Sequence, residues 1–130
     1  MVPASIRKSI AGNLVVVTRG IDRCLWLFPP EEWKEVSTKL VGSSSLFLSR
    51  DRMIQRRFLA PAQEIEIDRS GRIAISPTLR DYAGLHKDCI VLGINSYVEL
   101  WDEKTYRTYE TETDDQYKEA AEMIGGDIGL

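Results

Sequence analysis

The chain is poor in groups that do chemistry. It has a single histidine among 130 residues, and its two cysteines, Cys24 and Cys89, lie far apart. There is no Cys/His spacing suited to zinc, no glycine-rich phosphate loop and no nucleophile motif. No metal, cofactor or small-molecule substrate is therefore expected, and the chain reads as a non-enzyme. His86, in Gly-Leu-His-Lys-Asp, reads as an exposed turn residue. Each cysteine sits in an apolar context, which suggests reduced, mostly buried strand thiols, with a disulfide as the alternative. Long apolar runs are missing too. The longest aliphatic run is Leu14–Val17, against the roughly 20 residues of a membrane helix. The first residues lack the charged and apolar regions of a secretory signal. The expected location is the cytoplasm, with no membrane partner.

A large excess of positive charge is also lacking. Net charge is −3, from 17 Lys and Arg against 20 Asp and Glu. That average hides a split: residues 1–98 carry +4 and residues 99–130 carry −7. A mildly basic body with an acidic tail keeps nucleic acid open as a partner.

What the chain does have is a repeat. Shifted by 73 positions, residues 2–33 lie over 75–106 without a gap. Arg7 meets Arg80, Gly20 meets Gly93, Ile21 meets Ile94 and Leu27 meets Leu100. Conservative pairs such as Val17/Ile90, Phe28/Trp101 and Trp33/Tyr106 fill the space between. Each copy reads as a proline-led helical turn, a strand, a tight Gly-centred turn, a second strand and a helix. The predicted elements of the first copy are Ala4–Ile10, Asn13–Arg19, Cys24–Phe28 and Pro30–Val41. Those of the second are Thr78–Ala83, Asp88–Gly93, Tyr97–Trp101 and a helix from Glu103 past Tyr109 towards Ile124. Ahead of the second copy, Ala62–Ile67 alternates like a half-exposed strand with Glu64 and Glu66 on its wet face. Asp68–Arg72 makes a turn, and Ile73–Ile75 resumes a strand. The counterpart of that hairpin would fall before Met1. This predicts a truncated chain, a late-assigned start or a natural shortened variant. Between the copies, Gly42–Ser45 stops a helix, and 46–59 approximates a basic amphipathic helix. Gly125–Leu130 reads as a frayed tail.

Asp68-x-x-x-Arg72, followed by Ile-Ala-Ile-Ser-Pro-Thr-Leu-Arg80 and a hairpin ending Glu-Leu-Trp101, resembles the MraZ family. The first copy agrees through Val2–Arg7, Thr18–Asp22 and Cys24–Trp33. The likeness spans roughly residues 1–110. It implies an α+β fold of two pseudo-twofold-related, swapped-hairpin (AbrB-like, SpoVT-AbrB) β-units with short flanking helices, the first unit lacking its N-terminal strand. The boundaries that follow are 1–42 for the shortened first unit, 43–61 for a linker and basic helix, 62–106 for the second unit, and 107–130 for an acidic helix and tail. The resemblance further implies a nucleoid-associated transcriptional regulator of the division and cell-wall gene cluster. Such a protein forms ring-shaped homo-oligomers and binds short repeated boxes in double-stranded promoter DNA. The family has two Asp-x-x-x-Arg motifs, and this chain has one.

Candidate DNA-contacting residues are Asp68, Arg69, Arg72, Arg80 and Arg7. Asp68 and Arg72 can pair across their turn, or leave Arg72 for phosphates and guanine edges, which a guanidinium fork matches bidentately. Arg69 is a phosphate candidate. Arg7 and Arg80 either repeat a basic face by pseudo-symmetry or anchor their helices through Asp81 or Asp68. Arg50, Arg56 and Arg57 suit an oligomer contact with the acidic stretch 110–122, with DNA as the other reading. Trp26, Trp33 and Trp101 read as core and interface anchors, Trp26 and Trp33 at the oligomer contact. A competing function is a ring-forming assembly module without specific DNA binding, and salt dependence separates the two.

Overall fold

A computed structural model describes residues 12–129. The expected helix Ala4–Ile10 and Arg7 lie outside the described residues. The fold is α+β. Five strands, β1 (Leu14–Arg19), β2 (Leu25–Phe28), β3 (Gln63–Glu66), β4 (Cys89–Ile94) and β5 (Tyr97–Asp102), form one sheet. Its order is β3-β1-β2-β5-β4, and every pair is antiparallel. The swapped pairing is visible in β3. It belongs to the second repeat by sequence, yet it pairs with β1 of the first, Leu14 opposite Glu66 through Val17 opposite Gln63.

The two repeats meet along β2 and β5, where Leu25 lies opposite Leu100, Trp26 opposite Glu99 and Leu27 opposite Val98. Under the 73-residue shift the first and last of these pairs exchange. The pseudo-twofold axis therefore passes through the Trp26–Glu99 pair.

Period-two alternation sorts the side chains into two layers. On one face Val15, Val17, Leu25 and Leu27 pack with Ile67, Leu79 and Ala83, supported by Ile73, Ile75, Val98 and Leu100. On the other lie the rings. Trp26 contacts Phe58 and Tyr97 at centroid distances of 5.7 and 4.6 Å. Trp33 contacts Phe28 and Phe58 at 5.3 and 5.4 Å. Trp101 is buried against Tyr106 and Tyr109. Thr18, buried beneath this layer, satisfies its hydroxyl by donating to the Phe58 carbonyl at 2.5 Å.

Helix α1 (Pro30–Gly42) has Pro30 in its first turn, Glu31 and Glu32 at the positive dipole end and Lys39 at the other. The basic helix is shorter than the 46–59 expected. It begins as α2 (Ser49–Ile54) and passes into a π-helical turn, Gln55–Leu59, whose extra residue brings Phe58 inward. Residues 45–48 fold over its start: the Ser45 amide donates to the Asp51 carboxylate at 2.8 Å, and Arg52 donates to the Leu46 carbonyl at 2.9 Å.

Helix α3 (Pro77–Ala83) is capped by Ser76 and ended by Gly84 at φ 62°. The long C-terminal helix is two helices. α4 (Glu103–Glu112), capped by the buried Asp102, breaks at Thr113, and α5 (Asp114–Asp127) follows. α5 runs through Gly125 and Gly126, so the frayed tail expected from Gly125 onward is not what forms.

Three further expectations change. Ile73–Ile75 joins no strand ladder among the described residues; β1 is already paired on both edges, by β2 and β3. Both cysteines are free, yet only Cys24 is buried. Cys89 is exposed on β4, whose outer side has no strand neighbour among the described residues. The third change is register. The repeat aligns Val17 with Ile90, but Val17 faces Leu27, whereas Leu100, the counterpart of Leu27, faces Val91. The second hairpin closes in a two-residue turn with Asn95 at φ 50°. The first uses the wider Gly20–Cys24 loop, closed by the Gly20 amide donating to the Cys24 carbonyl at 2.8 Å. One residue of slip turns every side chain of the shifted strand to the opposite face. It puts Ile90 on the ring side of the sheet.

Candidate nucleic-acid interface

The Asp68–Arg72 turn is built by its own backbone. The Asp68 amide donates to the Arg72 carbonyl and the Gly71 amide to the Asp68 carbonyl, both at 2.9 Å. The Asp68 carboxylate accepts from the Ser70 and Arg72 amides, both at 2.8 Å and both at Oδ1. Such an Asx arrangement is a local alternative to a strand ladder. Gly71 takes φ 78°, a left-handed conformation that glycine adopts without the cost of a Cβ. Core side chains bracket the turn: Ile67 is buried, with its amide donating to the Asn13 carbonyl at 2.6 Å, and Ile73 packs on the aliphatic layer.

The side-chain pair between Asp68 and Arg72 is not what forms. Asp68 spends its carboxylate on amides, not on the Arg72 guanidinium. Arg69 and Arg72 are exposed, and none of the ion pairs among the described residues includes Arg69, Arg72 or Arg80. Arg80 does not pair with Asp81 or Asp68 either. It donates from Nη2 to the Ile75 carbonyl at 3.1 Å, bracing the segment before α3 against that helix. The segment 68–80 thus carries three arginines, Arg69 and Arg72 at a turn and Arg80 on a short helix.

A second basic surface lies around β1. Arg19, Arg50 and Arg57 line a cavity of about 360 Å³ with Ile21, Met53 and Tyr82. The Arg19 guanidinium stacks on the Tyr82 ring, 4.0 Å from its centroid, and its Nε is buried with no hydrogen-bond partner. Arg23 approaches the same ring at 5.9 Å. The Tyr82 hydroxyl donates to the Gly20 carbonyl at 2.9 Å, tying α3 to the first hairpin loop. Arg19, Arg23 and Tyr82 are not among the candidates named from the sequence. Only a contact between positions 62 apart brings them together, and no local pattern signals that. Arg50 lies 3.5 Å from the Asp51 carboxylate and is otherwise exposed, as are Arg56 and Arg57. Trp26 and Trp33 are engaged inside the chain by the ring layer described above.

No cluster of His, Cys, Asp and Glu suited to a metal ion occurs among the described residues. His86 is exposed, but its Nδ1 lies 3.3 Å from Asp102, whose carboxylate also accepts the His86 and Thr105 amides. Burial raises the Asp102 pKa, but the hydrogen bonds from Thr105 and His86 outweigh it, and the carboxyl sits below its ordinary value. Burial, with Glu99 and Asp22 nearby, pushes the Cys24 thiol up to about 12. Neither Cys24 nor Asp102 is arranged as a nucleophile or general base. Among the described residues no helix is long and apolar enough to cross a membrane.

Comparison with known proteins agrees with the duplicated fold. The family model described as "MraZ protein, putative antitoxin-like" matches twice, over residues 1–57 and 58–126. A protein of Treponema denticola named Transcriptional regulator MraZ is 46% identical over 130 residues, covering 100% of this chain and 90% of the relative. Its namesake in Treponema pallidum (strain Nichols) is 40% identical over 124 residues, 95% of this chain and 83% of that one. That of Symbiobacterium thermophilum is 39% identical over 127 residues, 96% and 89% of the two chains. These relatives are named as regulators, which fits the non-enzymatic reading. With both halves of the chain matched and relatives aligned over nearly its whole length, this chain belongs to the MraZ family.

Proposed function

We propose that this chain is a cytoplasmic, nucleoid-associated, DNA-binding transcriptional regulator that represses its own division and cell-wall gene cluster by binding short repeated promoter boxes. The Asp68–Arg72 turn is its reading element. Arg72 faces guanine edges or phosphate, Arg69 and Arg80 take phosphates, and Asp68 shapes the turn. The observation that carries this reading is the capture of the Asp68 carboxylate by two backbone amides, which leaves an exposed arginine outside the ion pairs among the described residues, on a turn anchored in the core. A guanidinium on such a support has both a free hydrogen-bonding fork and a fixed base. Arg7, the counterpart of Arg80 in the first unit, is proposed to extend the same face. Copies associate through Arg50, Arg56 and Arg57 and the edge of the ring layer at Trp26 and Trp33, so that several turns engage one duplex and weak single contacts combine.

Fluorescence anisotropy on DNA from upstream of the chain's own gene tests this. Arg72→Ala should weaken specific binding by roughly tenfold or more, the worth of a bidentate base contact. Circular dichroism and oligomer size should stay unchanged. Arg69→Ala should weaken all sequences alike and lower the salt slope by about one. Unchanged affinity in Arg72→Ala refutes the site. One observation favours a second reading, an assembly module without specific DNA binding: large apolar side chains stand exposed at Leu46 and Phe47. On that reading no shift of promoter DNA appears even at low salt.

A further inference from the structure

The basic surface around α2 is also apolar. Phe47 is 86% exposed and Met53 and Ile54 are about two-fifths exposed. They are held in place, since the Ser45–Asp51 and Arg52–Leu46 hydrogen bonds lock the loop that carries Phe47 onto the helix start. Beside them opens the cavity rimmed by Arg19, Arg50 and Arg57, with no carboxylate in its lining and the Arg19 Nε buried and unpartnered. An exposed apolar patch flanked by arginines, of which among the described residues only Arg50 meets a carboxylate, its neighbour Asp51 at 3.5 Å, is a docking surface for something apolar and acidic.

The chain carries one such element. α5 has five acidic residues against one lysine over Asp114–Asp127. Tyr117, Ala121, Ile124 and Ile128 recur at i, i+4, i+7 and i+11, which sets them in one stripe along the helix. Tyr117, Ile124 and Ile128 are between 58 and 71% exposed. Asp114 and Asp127 flank that stripe. A helix with an apolar stripe normally buries it, and among the described residues α5 leaves Tyr117, Ile124 and Ile128 exposed.

We propose that α5 of one copy docks on the α2 surface of a second copy. Its apolar stripe covers Phe47, Met53 and Ile54, and its carboxylates face Arg50, Arg57 and the recessed Arg19. The inference rests on the self-association in the proposed function and specifies its surfaces. The two mating patches are different parts of the chain, so the contact is heterologous. Each copy offers one patch of each kind, and repetition closes a ring or runs on as a filament.

Sedimentation velocity on the full-length protein tests this with two double variants. Arg50→Glu/Arg57→Glu breaks the basic patch, and Tyr117→Ser/Ile124→Ser breaks the helix patch. Each variant alone should be monomeric, with self-affinity lowered on the order of 30-fold or more. Mixed, they retain one intact pair of patches and should form a 1:1 dimer and nothing larger. Circular dichroism matching the parent excludes misfolding. Persistence of the parent oligomer in either variant, or no dimer on mixing, overturns the proposal. A monomeric parent protein overturns self-association altogether. Arg50→Glu/Arg57→Glu that stays oligomeric but loses DNA binding assigns the patch to DNA and overturns the docking while leaving self-association standing.

Discussion

Asp68 offers a sharp test of how the turn is held. Both amides, of Ser70 and Arg72, reach the same oxygen, Oδ1, at 2.8 Å. A hydrogen bond to a charged acceptor contributes about 1.5–3 kcal/mol when shielded, so on this exposed turn each is taken at about 1 kcal/mol. Asp68→Ala removes both acceptors and should cost roughly 2 kcal/mol. Asp68→Asn keeps an oxygen at the same place and loses only the charge, so about 0.5 kcal/mol or less should go. Urea unfolding at neutral pH measures the difference as a shift of midpoint at constant slope. Amide hydrogen exchange adds a local reading: the Ser70 and Arg72 amides should lose protection in Asp68→Ala and keep it in Asp68→Asn. Equal destabilisation by both substitutions would show that the charge, and not the acceptor geometry, holds the turn. An unchanged exchange rate in Asp68→Ala would show that the two hydrogen bonds contribute nothing.

Three further outcomes are expected. Because the folded pKa of Asp102 is depressed, its stabilisation is fully present above the ordinary value of 3.8 and is lost as pH falls through the lower folded value. Urea midpoints measured from pH 6 down to pH 2 should show that loss, and Asp102→Asn should remove this component. Gly20→Ala places a Cβ 2.6 Å from the Cys24 sulfur and 2.8 Å from the Trp26 ring. Thermal unfolding should register a loss of about 1–3 kcal/mol from overpacking, and a variant as stable as the parent would contradict the packing described. The Cys24 thiol, buried and pushed up to about 12, should resist iodoacetamide at pH 8 while Cys89 is alkylated. Peptide mass spectrometry after timed quenching reads both sites, and comparable labelling of Cys24 in folded protein would contradict its burial.

The repeat was legible because apolar positions, turn residues and aromatics recur together at one spacing. That spacing already contains the hairpins, the helix after each and the shared family. Register was not legible. An ungapped alignment equates Val17 with Ile90, while turn length, two residues at Asn95 against the wider Gly20 loop, decides which face each side chain takes. The π turn at Gln55–Leu59 has no local signature either, since it exists to bring Phe58 beneath the rings and over Thr18. The break at Thr113 could be sensed only in part. Its hydroxyl bonds back to the Tyr109 carbonyl at 2.6 Å, and Asp114 and Asp115 start a new helix behind it. At the candidate site, the sequence named the arginines and the turn. It left open whether Asp68 binds Arg72 or the backbone, because both lie within its reach and only the backbone path at Gly71 selects between them. The Arg19–Tyr82 stack came from a tertiary contact and was beyond reach.

The Trp26–Glu99 pair has a consequence for how two like units can be joined. In a dimer of identical subunits, a residue on the twofold axis confronts its own copy, so tryptophan would meet tryptophan or glutamate would meet glutamate. Two glutamates directly opposite one another repel, and two indoles offer donors without an acceptor. Covalent linkage of two non-identical copies lifts that restriction. Here Glu99 accepts from the Trp26 indole at 3.1 Å and from the Trp101 indole at 3.0 Å. That three-residue lock satisfies every partner at the seam. A symmetric pair of identical units has no such donor and acceptor to set against each other on its axis.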